Sequence, residues 1–331
     1  MTTVMQTEAL SSPNKIAQQL QQNTALVSQL AERIREYAPH SVMIIGRGSS
    51  DHAGVFAKYL FEIEAGIPTF AAAPSVASVY GKRLQLQGTL VLLISQSGRS
   101  PDILAQAQMA KDAGALCIAL VNDESAPIAD IVDCLVPLKV GEERAVAATK
   151  SYLATLSALL QLVAHWQQDQ QLIQALESLP QALHSAQQLA PQLTPESVEG
   201  VANLVVLGRG LGYAITKEIA LKLKEVCGIH AEAFSSAEFL HGPVTLLEQS
   251  LHLLDVSVRD EAHSSHQEQI EELKRRGGQL VQLHQGSIVV HPRIAPLLVL
   301  QRFYLDVEQV ALARGIDPDA PVGLKKVTQT L

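Results

Sequence analysis

Thr89-Leu-Val-Leu-Leu-Ile-Ser95-Gln-Ser-Gly-Arg-Ser100-Pro-Asp102 decides the fold. The apolar run Thr89 to Ile94 is short, continuous and partly β-branched, the pattern of a strand buried on both faces of a parallel sheet. Ser100 before Pro101 is a helix start, because serine caps free N–H groups and proline at the first helical position forfeits no hydrogen bond. The loop between them, Ser95 to Ser100, therefore lies at the carboxyl end of a strand and the amino end of a helix. An anion placed there meets backbone donors, the positive end of the helix dipole and serine hydroxyls, so the loop reads as a phosphate cradle.

Outward from this loop the chain repeats itself. Ser41-Val-Met-Ile-Ile45 runs into Gly46-Arg47-Gly48-Ser49-Ser50, and Asn203-Leu-Val-Val-Leu207 runs into Gly208-Arg209-Gly210-Leu211-Gly212. Each apolar run enters a helical stretch, Asp51 to Ile63 and Tyr213 to Val226, and each has the form of an opening β-α unit. Further strands are predicted over residues 69–72, 115–120 and 134–138, and in the second half over 251–258, 279–283 and 287–290. The alternation predicts an α/β chain of two doubly wound parallel-sheet domains, with ligands outside the carboxyl ends of the strands. The expected division is an N-terminal helical segment 1–30, a first domain 31–180 with the phosphate site, a second domain 181–315, and a tail 316–331. Met1 to Ser11 reads as loose, with Ser12-Pro13 starting a helix that runs to about Leu30. After the strand 251–258 no second Ser-Gln-Ser-Gly follows, so one catalytic phosphate site per chain is expected.

Composition narrows the function. A chain of 331 residues with a formal net charge of −8 and no basic cluster is not built for nucleic acid. No run of apolar residues approaches a membrane span, and no basic leader precedes an apolar core, so a cytoplasmic protein with no membrane partner is expected. Cys117, Cys134 and Cys227 have neither disulfide-framework nor zinc spacing and read as buried free thiols. No metal is expected. Neither Gly-Arg-Gly turn completes a dinucleotide fingerprint, since Asp51 and Tyr213 stand where the third glycine belongs, and there is no Walker-type phosphate loop, so no cofactor is expected.

In the second half Glu218, Lys222 and Glu225 are spaced by four and three so that they share one face of a helix, a pattern that a surface salt-bridge ladder also gives. Behind them come His230-Ala-Glu232 and Ser236-Ala-Glu238-Phe-Leu-His241-Gly242-Pro243. Taken with Ser-Gln-Ser-Gly, these segments resemble the sugar isomerase (SIS) family, and the resemblance runs from Met5-Gln-Thr-Glu8 and Ser12-Pro13-Asn14 to Leu324-Lys-Lys326. It resembles most closely the isomerase half of glucosamine-6-phosphate synthase, without the glutamine-hydrolysing part, and so resembles the freestanding SIS-type deaminases.

The resemblance implies a site. Ser95, Gln96, Ser97 and Ser100 would hold a sugar phosphate, with Ser50 close to the sugar, and Val146 and Ala147 would line it through their backbone. Ala148 stands where the synthase has serine, and Arg99 where its loop has an acidic residue. Glu225 would move a proton between C1 and C2, with Lys222 and Glu218 orienting the sugar or tuning the base. His241 would open the sugar ring and would be donated across the interface of a homodimer. Lys326, with Lys325 one residue before it, would match the lysine that forms a Schiff base in the synthase. The substrate implied is a hexosamine 6-phosphate: glucosamine 6-phosphate first, with galactosamine or fructosamine 6-phosphate, a plain phosphosugar isomerase or a non-catalytic sugar-phosphate sensor as alternatives.

Overall fold

The computed structural model describes residues 2–249, 251–324 and 326. In chain order its elements are α1 (Val4–Tyr37), β1 (Ser41–Ile45), α2 (Ser49–Glu64), β2 (Thr69–Ala71), α3 (Pro74–Ser78), β3 (Thr89–Ser95), α4 (Pro101–Asp112), β4 (Leu116–Val121), β5 (Cys134–Pro137), α5 (Lys150–Trp166) and α6 (Gln170–Gln187). There follow β6 (Asn203–Gly208), α7 (Leu211–Cys227), β7 (His230–Ser235), α8 (Ser236–Phe239), β8 (His252–Ser257), α9 (His263–Arg275), β9 (Gln279–His284) and α10 (Ala295–Ala313). The strands form two sheets, ordered β2-β1-β3-β4-β5 and β7-β6-β8-β9, and every pairing is parallel. This is the α/β class with two parallel sheets that the alternation predicts.

Two compact units carry the sheets. The first-sheet unit holds Asn14–Glu143 and Lys150–Glu177; the second-sheet unit holds the chain start through Pro13, Arg144–Thr149 and Ser178–Lys326. In the first, every residue of β3 and β4 is buried, as central strands of a covered parallel sheet require. Met43, Val91, Leu93, Cys117 and Ala119 meet Ile103, Ala107 and Ala110 of α4 in one core cluster. In the second, Val205, Leu207 and Leu253 pack with Ile270 and Leu273 of α9.

Three local expectations are corrected. The N-terminus is helical from Val4 rather than loose: Thr3 Oγ1 accepts the Gln6 N–H at 3.0 Å, and the Asp319 carboxylate accepts the N–H groups of Val4 and Met5 at 2.8 and 2.7 Å. Long-range capping of this kind leaves no trace in a local pattern. Ser12 and Pro13 lie inside α1 instead of starting it. Proline there deprives the Ala9 carbonyl of its helical donor, and the Gln301 side-chain amide supplies a substitute at 3.0 Å. Residues 287–290 are not a strand, whereas His230–Ser235 is one. β7 is an edge strand paired on one side only, which accounts for its Ala, Glu and Ser content.

Candidate functional site

In the first-sheet unit the strand order reverses at β1 and β3, and the loops after both strands open at that crevice, the usual ligand position of open α/β sheets. After β3 the chain makes a tight turn in which the buried Ser95 hydroxyl accepts the Gly98 N–H at 3.0 Å. Gly98 has φ +60°, and a Cβ there would stand 2.7 Å from Ala126 Cβ and 2.9 Å from Ile128 Cγ2. The turn can therefore pack only with glycine. Ser100 is the N-cap of α4 by backbone geometry, with Pro101 in the first turn, but its hydroxyl makes no capping bond. Among the described residues the side chains of Ser50, Gln96 and Ser100 have no partner, and Ser97 only accepts the Arg99 N–H at 3.4 Å. The loop thus brings Ser95, Gln96, Ser97 and Ser100 together with their donors uncommitted.

Two arginines frame this crevice differently. Arg47 of the Gly-Arg-Gly turn reaches the buried Asp102 carboxylate on α4 at 2.9 Å and ties the two loops to each other. Ser50 sits in the first turn of α2 beside it, its N–H bonded to the Arg47 carbonyl. Arg99 instead pairs with Asp123 at 2.7 Å and donates to Ser125, so its charge is met on the surface. Hydrogen bonds from Ser125, and then from Arg99, hold the Asp123 carboxyl below its ordinary range.

In the second-sheet unit, α7 carries the charged stripe. Lys222 Nζ stands 3.0 Å from Glu218 Oε1 and 2.7 Å from Glu225 Oε2. Glu218 and Lys222 are buried, whereas Glu225 keeps 22 % of its side chain exposed. Burial alone would pull the Lys222 ammonium down; the two carboxylates outweigh it and hold its pKa above the ordinary lysine value. Tyr304 on α10 reaches Glu218 Oε1 at 3.5 Å. Two carboxylates on one ammonium leave a net negative charge, and the carboxylate in contact with solvent is Glu225. The buried Lys222 ammonium thus fixes the position of the partly exposed Glu225 carboxylate.

The segment from Arg144 to Thr149 is built into the same unit. The buried Glu8 carboxylate accepts the N–H groups of Arg144 and Ala145 at 2.7 and 3.2 Å, and Val146 N–H donates to the Asp319 carbonyl at 3.0 Å. Lys326 Nζ donates to the Ala145 carbonyl at 2.6 Å, so the C-terminal lysine meets the segment that holds Val146 and Ala147. The alternative Lys325 falls outside the described residues, as does the end of the tail. His241 lies in the turn after α8, exposed, its N–H bonded to the Glu238 carbonyl at 2.9 Å.

A buried network behind that turn escaped the sequence reading. His266 on α9 stands 2.9 Å from the Ser236 hydroxyl and 2.6 Å from Asp255 Oδ1. The composition is that of a hydrolytic triad, yet Ser236 gives its hydrogen to Gln269 Oε1 at 2.5 Å and all three residues are shielded from solvent. The network therefore anchors the β7-to-α8 corner that leads to His241 and supplies no nucleophile. Its members are 11 to 30 residues apart, and only the fold reveals them. Burial pushes the thiols of Cys117 and Cys227 up to about 12, which makes them inert. Among the described residues no cluster of His, Cys, Asp or Glu could hold a metal ion, and no helix is long and apolar enough to cross a membrane.

Two parallel α/β sheets, with a hydroxyl-lined loop in one unit and a largely buried Glu-Lys-Glu stripe in the other, define a class, and comparison supplies its name. The SIS domain model matches residues 37–165 and 200–287, and the chain belongs to the SIS family. Glutamine–fructose-6-phosphate aminotransferase (isomerizing) of Legionella pneumophila is 33% identical over 312 residues, covering 86% of this chain and 50% of the relative. The corresponding enzyme of Sulfurisphaera tokodaii is 30% identical over 91% of this chain and 51% of its own. The chain thus spans about half the length of the curated relatives it matches. A structure from Silicibacter pomeroyi DSS-3 assigned to the phosphosugar isomerases superposes with TM-score 0.90 and 36% identity, over 96% of this chain and all of that one. The C-terminal domain of glucosamine-fructose-6-phosphate aminotransferase from Francisella tularensis gives 0.84 and 26%, over 97% and 99%. Glucosamine-6-phosphate deaminase of Thermotoga maritima shares the fold, with TM-score 0.74 and 22% identity over 96% of this chain and 100% of that one.

Proposed function

We propose that the protein is an amino sugar phosphate deaminase that converts glucosamine 6-phosphate and water to fructose 6-phosphate and ammonia. The observation that carries this reading is the Glu218–Lys222–Glu225 stripe, in which a buried ammonium orients one partly exposed carboxylate. Aldose–ketose chemistry at C1 and C2 requires such a base, able to take a proton from one carbon and return it to the next. The aminotransferase relatives act on fructose 6-phosphate with isomerisation. Run toward fructose 6-phosphate, the same exchange needs only the amino sugar and water, both available from solution.

In the proposed path the phosphate is held by Ser95, Gln96, Ser97 and Ser100, with Ser50 and the backbone of Val146 and Ala147 against the sugar. His241, donated by the partner of a homodimer, moves the proton between ring oxygen and anomeric hydroxyl. Glu225 removes the C2 proton of the open chain to give an enolamine and protonates C1, leaving an imine at C2. Water adds to that carbon, the C–N bond breaks, and the amine leaves with the proton. Lys222 holds Glu225 in place and Glu218 compensates the Lys222 charge. The nitrogen starts on C2, so no lysine imine is required, and Lys326 closes the site over Ala145.

An ammonia-release assay on glucosamine, galactosamine and fructosamine 6-phosphates tests the assignment. Turnover is expected on glucosamine 6-phosphate, with one ammonia and one fructose 6-phosphate per substrate. Isomerisation of unaminated sugar phosphates with no ammonia from any amino sugar would overturn it.

A further inference from the structure

We propose that the polar concavity at the carboxyl ends of β8 and β9 is a second, non-catalytic site for a small phosphorylated metabolite, distinct from the loop after β3. Its volume is about 450 Å³. Ser257 ends β8, His284 ends β9 and His263 opens the 13-residue α9. The hollow therefore lies outside the carboxyl ends of two strands, the side of an open α/β sheet on which ligands bind, one strand pair beyond the β6/β8 reversal. The sugar-phosphate loop of the first sheet has the same topological address, after the strand that flanks the opening one.

The lining has a charge pattern that calls for an anion. No carboxylate and no apolar side chain borders the hollow, while Arg259, His263 and His284 do. The two acidic neighbours of Arg259 are committed elsewhere: Asp260 Oδ1 accepts the Ala262 N–H at 2.9 Å, and Glu261 is paired in two bonds with Arg293 at 2.7 and 2.8 Å. The Arg259 guanidinium has no partner among the described residues. In a chain of net charge −8, an unpaired arginine facing a hollow without carboxylates is the feature to be explained. His284 adds a fixed donor, because its Nδ1 accepts the Gly286 N–H at 2.9 Å and the ring hydrogen must then lie on Nε2. The first turn of α9 contributes the positive end of its dipole.

The remaining groups suit a hydroxylated carrier. The Gln267 and Gln282 amide nitrogens are spent on Ser257 Oγ at 3.2 Å and Asp255 Oδ2 at 2.8 Å, which leaves their carbonyl oxygens as acceptors for hydroxyl groups. The hollow is also preformed. Gln285 Oε1 accepts the Arg259 N–H at 3.2 Å, and its Nε2 donates to the Ile288 carbonyl, pinning the β8 rim to the β9 rim. Arg259 and His284 bind the phosphate and the glutamines meet the polyol.

Calorimetric titration of the full chain with fructose 6-phosphate tests this, and unphosphorylated fructose serves as the control. The parent is expected to bind two equivalents per chain and to ignore fructose. Arg259→Ala combined with His284→Gln weakens one equivalent about tenfold or more and leaves the other; Gly98→Ala in the first-sheet loop does the converse. If the parent binds a single equivalent and the Arg259/His284 variant loses it, the second-sheet site stands and the loop reading falls. Should the double variant melt early, Ser287→Glu places a carboxylate on the exposed rim and is read in the same way. Binding that neither Arg259→Ala/His284→Gln nor Ser287→Glu diminishes overturns the proposal.

Discussion

The two sheets open identically and diverge in what they carry. Gly48 and Gly210 each precede the helix after the first central strand, at φ 54°, ψ −130° and φ 55°, ψ −128°. A Cβ on Gly46 would stand 2.8 Å from the Ser50 carbonyl carbon, and one on Gly208 2.7 Å from that of Gly212. With the helices in the same phase, positions can be compared directly. Eight, twelve and fifteen residues after the cap glycine the first sheet has Phe56, Leu60 and Ile63, and the second has Glu218, Lys222 and Glu225. Phe56 and Leu60 are buried, as Glu218 and Lys222 are. The fold thus fills these positions with apolar side chains where nothing else is asked of them. On α7 the same positions carry charges, and a buried ion pair stabilises a fold less dependably than apolar packing does.

Breaking the charged stripe at one point gives the largest expected effect. Lys222→Met leaves the buried Glu218 carboxylate without its cation and should cost about 3–5 kcal/mol in a denaturant melt. Replacing all three residues by their first-sheet counterparts (Glu218→Phe, Lys222→Leu, Glu225→Ile) removes the charges together. That variant should hold its stability within about 2 kcal/mol of the parent while losing activity. A triple variant as unstable as Lys222→Met would show that the stripe is needed to fold.

The loops sharpen the comparison at smaller scale. Gly98 and Gly48 both have positive φ, but a Cβ would collide with Ala126 and Ile128 at the first and meet nothing within 4 Å at the second. Gly98→Ala should cost about 1–3 kcal/mol more than Gly48→Ala, since only the former adds overpacking to backbone strain. Thermal melts of the two variants measure the difference.

The smallest effect concerns the rim of the second sheet. Hydrogen bonds from Arg293 pull the Glu261 carboxyl from 4.5 to about 2. A depressed carboxylate contributes stability that is complete above its unfolded value and is lost as pH falls through the folded one. Melting temperature should therefore fall between pH 4.5 and about 2, and Glu261→Gln should remove that part of the slope. Glu261 is largely exposed, so the contribution is below about 1 kcal/mol.

What the sequence discloses follows from how local each cause is. β1, β3, β4 and β6 are buried on both faces and read as apolar runs, and glycine turns follow β1, β3 and β6. Glu218, Lys222 and Glu225 share a helix face, so spacing alone aligns them. By contrast, Asp319 caps α1 from more than 300 residues away, and Gln301 rescues Ala9 from Pro13 across a similar distance. The commitment of Arg99 to Asp123, and the Ser236–His266–Asp255 network, depend equally on which strands become neighbours. Such contacts have no period to detect.

Glu225→Gln tests the central claim most directly, because it keeps the shape and a hydrogen bond to Lys222 but cannot take a proton. Ammonia release from glucosamine 6-phosphate, measured beside a thermal melt, should drop about 10²- to 10⁴-fold in kcat with the fold retained. Near-parental turnover in a folded Glu225→Gln protein would contradict the account.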